Sequence, residues 1–201
     1  DLIRAMAAET RTDLSGIFDA TGAYAYTGFE GFLRTYEAAT SVLTSPRAYA
    51  RLAGTVCEAL AEQGVIYAET FLSPDFCGGG DVEAWRDYLA AIAEAARQSE
   101  AQGGPILKGV VTCIRHFGPE RAKAAALCAA ETAGDMVVGF GMAGAETVGA
   151  PRDFAWAFDC AREAGLHLTA HAGEWCGPDS VRAALDDLRV ERIGHGVRAI
   201  E

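Results

Sequence analysis

Three side chains that could bind a metal ion or transfer a proton lie near the end of the sequence. His171 ends the apolar run LHLTAH, Glu174 follows three residues later, and His195 lies between two glycines in RIGHG. An imidazole can bind a metal ion and a carboxyl group can transfer a proton, while flanking glycines let the backbone approach a ligand closely. Together the three side chains predict a site that acts on one small ligand.

Each of these residues also has a purely structural interpretation. His171 could be a hydrogen-bonded histidine of the core, Glu174 could stabilise the start of a helix through its charge, and His195 could serve packing alone. Their position at the ends of two successive predicted strands favours a shared functional site, because the carboxyl ends of parallel strands meet at one edge of a sheet.

The remaining candidates are interpreted differently. His116, in CIRHFG, is predicted to be a hydrogen-bonded histidine at the start of a loop, and His167 is predicted to lie in the core. Cys176 lies close to Glu174, but no adjacent cationic residue would activate its thiol, so a nucleophilic role is not expected.

Short apolar runs alternate with helical segments after Gly64, which indicates stacked βα units. Runs of this length suit strands that are buried on both faces of a parallel sheet. Ser45 followed by Pro46 predicts the start of one helix, and the apolar stripe from Asp81 to Gln102 predicts another. The predicted strands are VIYAETFL (65–72), ILKGVVTCI (106–114), MVVGFGM (136–142), LHLTAH (166–171) and RIGH (192–195).

Two α/β architectures fit this alternation, an open doubly wound sheet and a barrel. An open sheet that binds a nucleotide needs a glycine-rich turn between a strand and a helix. GFGMAG (139–144) matches the GxGxxG pattern, but it begins inside a predicted strand, and Glu146 follows where a helix amide should meet phosphate. A barrel carries its catalytic groups at the carboxyl ends of strands, where His171 and His195 lie, so the barrel is favoured.

Length and composition predict one soluble domain over residues 1–201. The net charge of -11 argues against a nucleic-acid partner, and the absence of an apolar run of about 18 residues argues against a membrane span. Six scattered cysteines without a CxxC pair predict buried thiols in a reducing compartment, hence a cytoplasmic protein. The sequence leaves the oligomeric state open.

The order of five segments resembles the adenosine deaminases of the metal-dependent amidohydrolase superfamily: YAETFLSP, CIRHFGPE, GFGMAGAE, HLTAHAGE with GPDSVRAALDDL, and RIGHG. The resemblance implies a (β/α)8 TIM-type barrel around one zinc ion. It also implies that His171 is a zinc ligand, that Glu174 protonates N1 of a purine, and that His195 orients or deprotonates the attacking water. Gly144 matches the glycine whose backbone amide contacts the purine ring.

The sequence departs from the family pattern in three places. The HxH of the first barrel strand and the SLNTDDP-like segment of the last strand are absent, and Phe71 stands where the family has an arginine. The chain is therefore expected to cover about strands two to six of the barrel, with both sheet edges unpaired. Most zinc ligands are expected outside it, so the chain alone should hold zinc poorly. The helix carrying Phe32, Leu33 and Tyr36 is similar to the family's apolar gate over the pocket.

The expected function is that of a hydrolase acting on a cyclic amidine C–N bond. The resemblance implies zinc-dependent deamination of a purine at C6 by the parent enzyme, adenosine to inosine plus ammonia, with the chain alone inactive. Two alternatives stay open: an adenine deaminase, and a barrel relative that binds a purine or a partner without catalysis. In the enzymatic cases the expected partner is a small-molecule purine.

Overall fold

A computed structural model describes residues 2–201. Within these residues, five parallel strands form one sheet in the order of the sequence, and helices connect them. This confirms the α/β prediction and the βα alternation. The strands are β1 (Tyr67–Leu72), β2 (Ile106–Ile114), β3 (Val137–Ala143), β4 (His167–Ala172) and β5 (Arg192–His195).

The helices that start at Pro46 and Val82 each begin with a side-chain cap. The Ser45 side chain accepts a hydrogen bond from the Ala48 amide, and Asp81 does the same for Ala84. Gly64, with φ +75°, follows the end of the third helix. The helices are α1 (Leu2–Thr10), α2 (Gly28–Thr40), α3 (Pro46–Glu62), α4 (Val82–Ala101), α5 (Pro119–Glu131), α6 (Ala155–Glu163) and α7 (Pro178–Leu188).

The largest core lies between the sheet and the helices that cover its outer face. Phe140 of β3 packs against Phe158 of α6, with ring centroids 5.2 Å apart, and Leu168 of β4 is buried in the same cluster. Trp85 of α4 is fully buried there, and its indole N–H donates to the Thr132 hydroxyl at 3.0 Å. This apolar layer fixes the strand ends that carry the candidate site.

An ion pair across the inner face shows that the sheet is curled. Arg192 of β5 donates to Glu69 of β1 at 2.7 Å, and this bond is the main reason that the pKa of Glu69 lies below its usual value. The Tyr67 hydroxyl also donates to Glu69, at 2.9 Å. In a flat sheet β1 and β5 would be about 19 Å apart, so their side chains meet only because the sheet bends as in a barrel. Glu69 thus has a cationic partner although Phe71 replaces the family's arginine.

Burial of the strands differs from the prediction at β1. Tyr67 and Phe71 are about half exposed, and the strand alternates between exposed and covered residues instead of being buried on both faces. The exposed residues point to the inner face of the curled sheet. In residues 2–201 no further strand pairs with the outer edge of β1 or of β5, as predicted.

Two further sequence expectations concern the cysteines and the helices. All six cysteines lie within the described residues and are free thiols; Cys57, Cys77, Cys113 and Cys128 are buried. Among residues 2–201, no helix has the length and apolar character needed to cross a membrane.

Candidate active site

A cavity of about 970 Å³ opens at the carboxyl ends of the strands. The four predicted site residues, His171, Glu174, His195 and Gly144, all line it. The last residues of successive parallel strands converge at this end of the sheet, which is where barrels carry their catalytic groups. The structure therefore brings together the residues that the sequence singled out, while their roles stay predictions.

His171 and His195 are in direct contact. Their ring centroids are 4.8 Å apart with the rings nearly perpendicular, and the Phe71 ring packs edge-on against His171 at 5.5 Å. Burial lowers the pKa of His171, and the neighbouring His195 lowers it further. A lowered pKa favours the neutral imidazole, which is the form that binds a metal ion.

Glu174 lies beside His195. The Glu174 Oε2 and His195 Nε2 atoms are 3.4 Å apart, and both side chains are about one-third exposed to the cavity mouth. His195 has φ +70°, a left-handed conformation that is uncommon for any residue except glycine. Such backbone strain in a folded protein is concentrated at functional sites.

Gly194 is required by the close approach of His171. A Cβ atom added at Gly194 would lie 2.6 Å from the His171 Cδ2 atom. The His171 ring therefore occupies the space that a side chain at position 194 would need.

We expect Gly194→Ala to weaken binding of the predicted zinc ion to the parent enzyme by about 10- to 100-fold, because the new methyl group displaces the predicted ligand His171. Competition with a chelator measures this affinity. Gly177→Ala is the matched control, since a Cβ there meets no atom within 4 Å. Equal zinc affinity of the two variants would contradict the prediction.

Gly144 is held close to His116. It has φ +98°, and a Cβ at this position would lie 2.7 Å from the His116 Nδ1 atom. The same Nδ1 accepts a hydrogen bond from the Ala145 amide at 3.2 Å. This confirms the predicted hydrogen-bonded role of His116 and shows that its ring also lines the cavity.

The helix predicted as an apolar gate borders the cavity. Phe32 and Tyr36 of α2 line it, with ring centroids 6.1 Å apart. Phe29 of the same helix contacts Trp175, at 5.3 Å between ring centroids. Trp175, the residue that follows Glu174, therefore packs against α2.

Glu146 organises the loop that carries Glu174. Its buried carboxylate accepts hydrogen bonds from the backbone amides of residues 173–176 at 2.6, 3.1, 2.7 and 3.0 Å. The Ser180 hydroxyl adds another bond, at 2.5 Å. Burial alone would raise the pKa of Glu146, but the hydrogen bonds from Ser180 and the backbone outweigh it and lower the pKa to about 2.

This lowered pKa predicts an acid-dependent stability. The ionised Glu146 carboxylate stabilises the fold above its ordinary pKa of 4.5, and that contribution of about 3 kcal/mol is lost as the pH falls from 4.5 towards 2. The native protein should therefore have a larger free energy of unfolding than Glu146→Gln at pH 7, and this difference should become smaller as the pH falls to 2.5. Urea unfolding over this pH range measures it. A difference in the free energy of unfolding that stays constant over this pH range would contradict the prediction.

The sequence prediction for His167 is wrong. Its side chain is 67% exposed and lies 2.7 Å from Glu191, at the opposite end of the sheet from the cavity. No role was predicted for Glu146, Ser180 or the buried Arg115. The available signal for Glu146 was a carboxylate just after a strand end, among apolar and small residues.

The donor set for a metal ion is incomplete within the described residues. His171 has the chemistry of a zinc ligand, but no group of three or more His, Cys, Asp or Glu side chains in residues 2–201 could hold a metal ion. Zinc in a catalytic site usually has three protein ligands. The described residues therefore supply one ligand of such a site, His171.

The curled parallel sheet, with histidines and a carboxylate at its mouth, defines the class as an amidohydrolase barrel, of which this chain forms the five-stranded part within residues 2–201. The family model described as adenosine deaminase matches residues 9–201. The chain belongs to the adenosine deaminase family of hydrolases, which confirms the resemblance seen in the sequence.

Relatives with the same fold are known in sequence and in structure. The chain is 47% identical over 200 residues to an adenine deaminase of Chelativorans sp. (strain BNC1), covering 100% of this chain and 61% of that protein. The crystal structure of adenine deaminase from Arthrobacter aurescens matches with a TM-score of 0.85 and 27% identity, covering 99% of this chain and 61% of that one. An amidohydrolase from Burkholderia ambifaria with bound Zn matches with a TM-score of 0.82 and 28% identity, over 98% of this chain and 54% of that one.

Proposed function

We propose that the chain is an incomplete portion of a zinc-dependent enzyme that removes the 6-amino group of a purine by hydrolysis. The observation that carries the proposal is the convergence of His171, Glu174 and His195 at one cavity, with Glu174 and His195 3.4 Å apart. The chain spans 61% of the length of the adenine deaminase relative, so the activity is proposed for the whole protein.

The chain's own residues would handle protons and position the substrate. Glu174, as a carboxylic acid, donates a proton to N1 while the oxygen of water bonds to C6. His195, which contacts Glu174, holds the attacking water against the ring, and the amide of Gly144, the residue after β3, contacts the ring. The proton that the water loses on attack passes through His195 to the amino nitrogen as the bond from C6 to that nitrogen breaks, which releases ammonia. The proton left on the new hydroxyl group returns to Glu174, which leaves the 6-oxopurine.

His171 would supply one zinc ligand, and the others would come from parts of the protein outside this chain. When bound, zinc makes water a nucleophile near neutral pH. The lowered pKa of His171 and the bound Zn in the Burkholderia ambifaria amidohydrolase support this assignment.

Adenine is the first candidate substrate and adenosine the second. The relative at 47% identity is named as an adenine deaminase, which favours the free base. The adenosine deaminase family model favours the nucleoside. The cavity of about 970 Å³ is large enough for either, so its volume does not decide between them. The free cysteines support a cytoplasmic location.

Ammonia release by the zinc-loaded full-length protein, measured separately with adenine and adenosine, tests this function. We expect a higher kcat/KM with adenine. The 201-residue chain alone is the control, with little zinc and no turnover expected. Failure of the full-length protein to deaminate either purine would contradict the function, and tight stoichiometric zinc with turnover in the chain alone would contradict its incompleteness.

A further inference from the structure

The proposed reaction assigns no function to Glu146, a buried carboxylate next to the loop that carries Glu174. Glu146 is 4% exposed, lies on the loop after β3, and is not among the residues that line the cavity. Its carboxylate nevertheless accepts hydrogen bonds from successive amides and from Ser180. Burying a carboxylate is costly unless such bonds satisfy it, and here both of its oxygens are satisfied by one neighbouring loop and the helix that follows it.

The geometry of these bonds fixes the backbone on both sides of Glu174. The donors are the consecutive amides of Gly173, Glu174, Trp175 and Cys176, which converge on the two oxygens of Glu146. Consecutive amides that point at one anion form a rigid concave turn. The Glu174 amide is itself one of the donors, so the path of the chain at Glu174 depends on the Glu146 carboxylate.

The loop that carries Glu146 is fixed in its turn by Arg115. This arginine follows β2, is 5% exposed, and donates from Nε to the Val148 carbonyl and from Nη2 to the Gly149 carbonyl, both at 2.7 Å. Contacts therefore run without a break from the end of β2, through the loop after β3, to the loop after β4. Glu146 is the link between the last two.

We propose that Glu146 is a positioning residue for the deamination: it holds the turn of residues 173–176 so that the Glu174 carboxyl group lies beside His195 and faces the purine. The inference rests on the proposed function, because it needs Glu174 to act as the proton donor. Glu146 itself does not touch the substrate.

Glu146→Gln in the full-length protein tests this inference, because it keeps the shape of the side chain but turns an amide N–H towards backbone N–H donors. We expect the turnover number with adenine to fall by about 100-fold, with little change in KM or zinc content, since a displacement of about 1 Å of a catalytic group has this effect. Ser180→Ala removes one donor and leaves the backbone amides bound, so its effect should be smaller, about tenfold or less.

A double-mutant cycle with Glu174→Gln distinguishes positioning from general damage. If Glu146 acts through Glu174, the double variant should be no slower than Glu174→Gln alone. The inference is overturned, while the proposed function stands, if adding Glu146→Gln to Glu174→Gln lowers the turnover number by the same factor as Glu146→Gln does in the native protein. If Glu174→Gln turns over normally, the proposed function fails and the inference fails with it.

Hydrogen exchange supplies a readout that does not depend on activity. In Glu146→Gln the amides of residues 173–176 should exchange faster than in the native protein, while the amides of β2 and β3 stay protected. Unchanged exchange at residues 173–176 overturns the inference even where turnover falls.

Discussion

Glu174→Gln in the zinc-loaded full-length protein is expected to lower the turnover number with adenine by about 10²- to 10⁴-fold, while zinc stays bound. The amide cannot give up a proton to N1, and positioned general acids contribute factors of this size. The side chain keeps its shape and its place beside His195, so substrate affinity should change much less than turnover. Steady-state kinetics together with metal analysis measure both quantities.

Glu163→Gln serves as the matched control for this substitution. Glu163 is an exposed glutamate at the end of α6 and does not line the cavity, so its amide variant should turn over like the native protein. Normal turnover in Glu174→Gln would remove Glu174 from the mechanism. Loss of zinc in that variant would instead assign Glu174 to the metal.

Trp85→Ala should have the largest effect on stability, a loss of about 3–5 kcal/mol in the free energy of unfolding. Trp85 of α4 is fully buried in the main core cluster, so its removal leaves a large cavity. It also leaves the Thr132 hydroxyl without the indole donor at 3.0 Å. Because whole domains are stable by only about 5–15 kcal/mol, the variant should unfold at much lower urea concentration.

Trp156→Ala provides the comparison for this stability measurement. Trp156 is 50% exposed on α6, so its replacement should lower the free energy of unfolding by about 1–2 kcal/mol, clearly less than the loss in Trp85→Ala. Equal losses in the two variants would show that burial of Trp85 does not decide the stability of the sheet and its helices.

The sequence predicted most of the sheet because its strands are local features. ILKGVVTCI coincides with β2, since continuous runs of branched apolar residues favour strands whatever surrounds them. RIGH coincides with β5, which follows the same βα alternation along the chain. The cap at Ser45 placed one helix start for the same reason, because a cap acts within one turn of the chain. The apolar stripe from Asp81 placed another, and the structure adds that the Asp81 side chain caps it. His171, Glu174 and His195 were found because they end two successive strands.

The features that the sequence did not predict depend on contacts between residues that are distant along the chain. Glu146 is found only through its bonds to residues 173–176, and no periodicity marks a carboxylate that folds onto amides 27 to 30 positions away. His167 was misplaced because an exposed strand start has the same local pattern as a buried one. The exposed side of β1 likewise follows from the curvature of the sheet, which no single strand specifies.

The Glu69–Arg192 pair also bears on the order in which the fold forms. Each strand pairs with the next strand along the sequence, so the sheet can grow from neighbouring βα units with modest loss of chain entropy. The contact between Glu69 and Arg192 joins residues 123 positions apart, and its geometry exists only after the sheet has bent. We therefore expect it to form late in folding. Interactions that form after the transition state slow unfolding more than they speed folding. This pair should therefore lower the rate at which the curved native sheet unfolds, with little effect on the rate at which it forms.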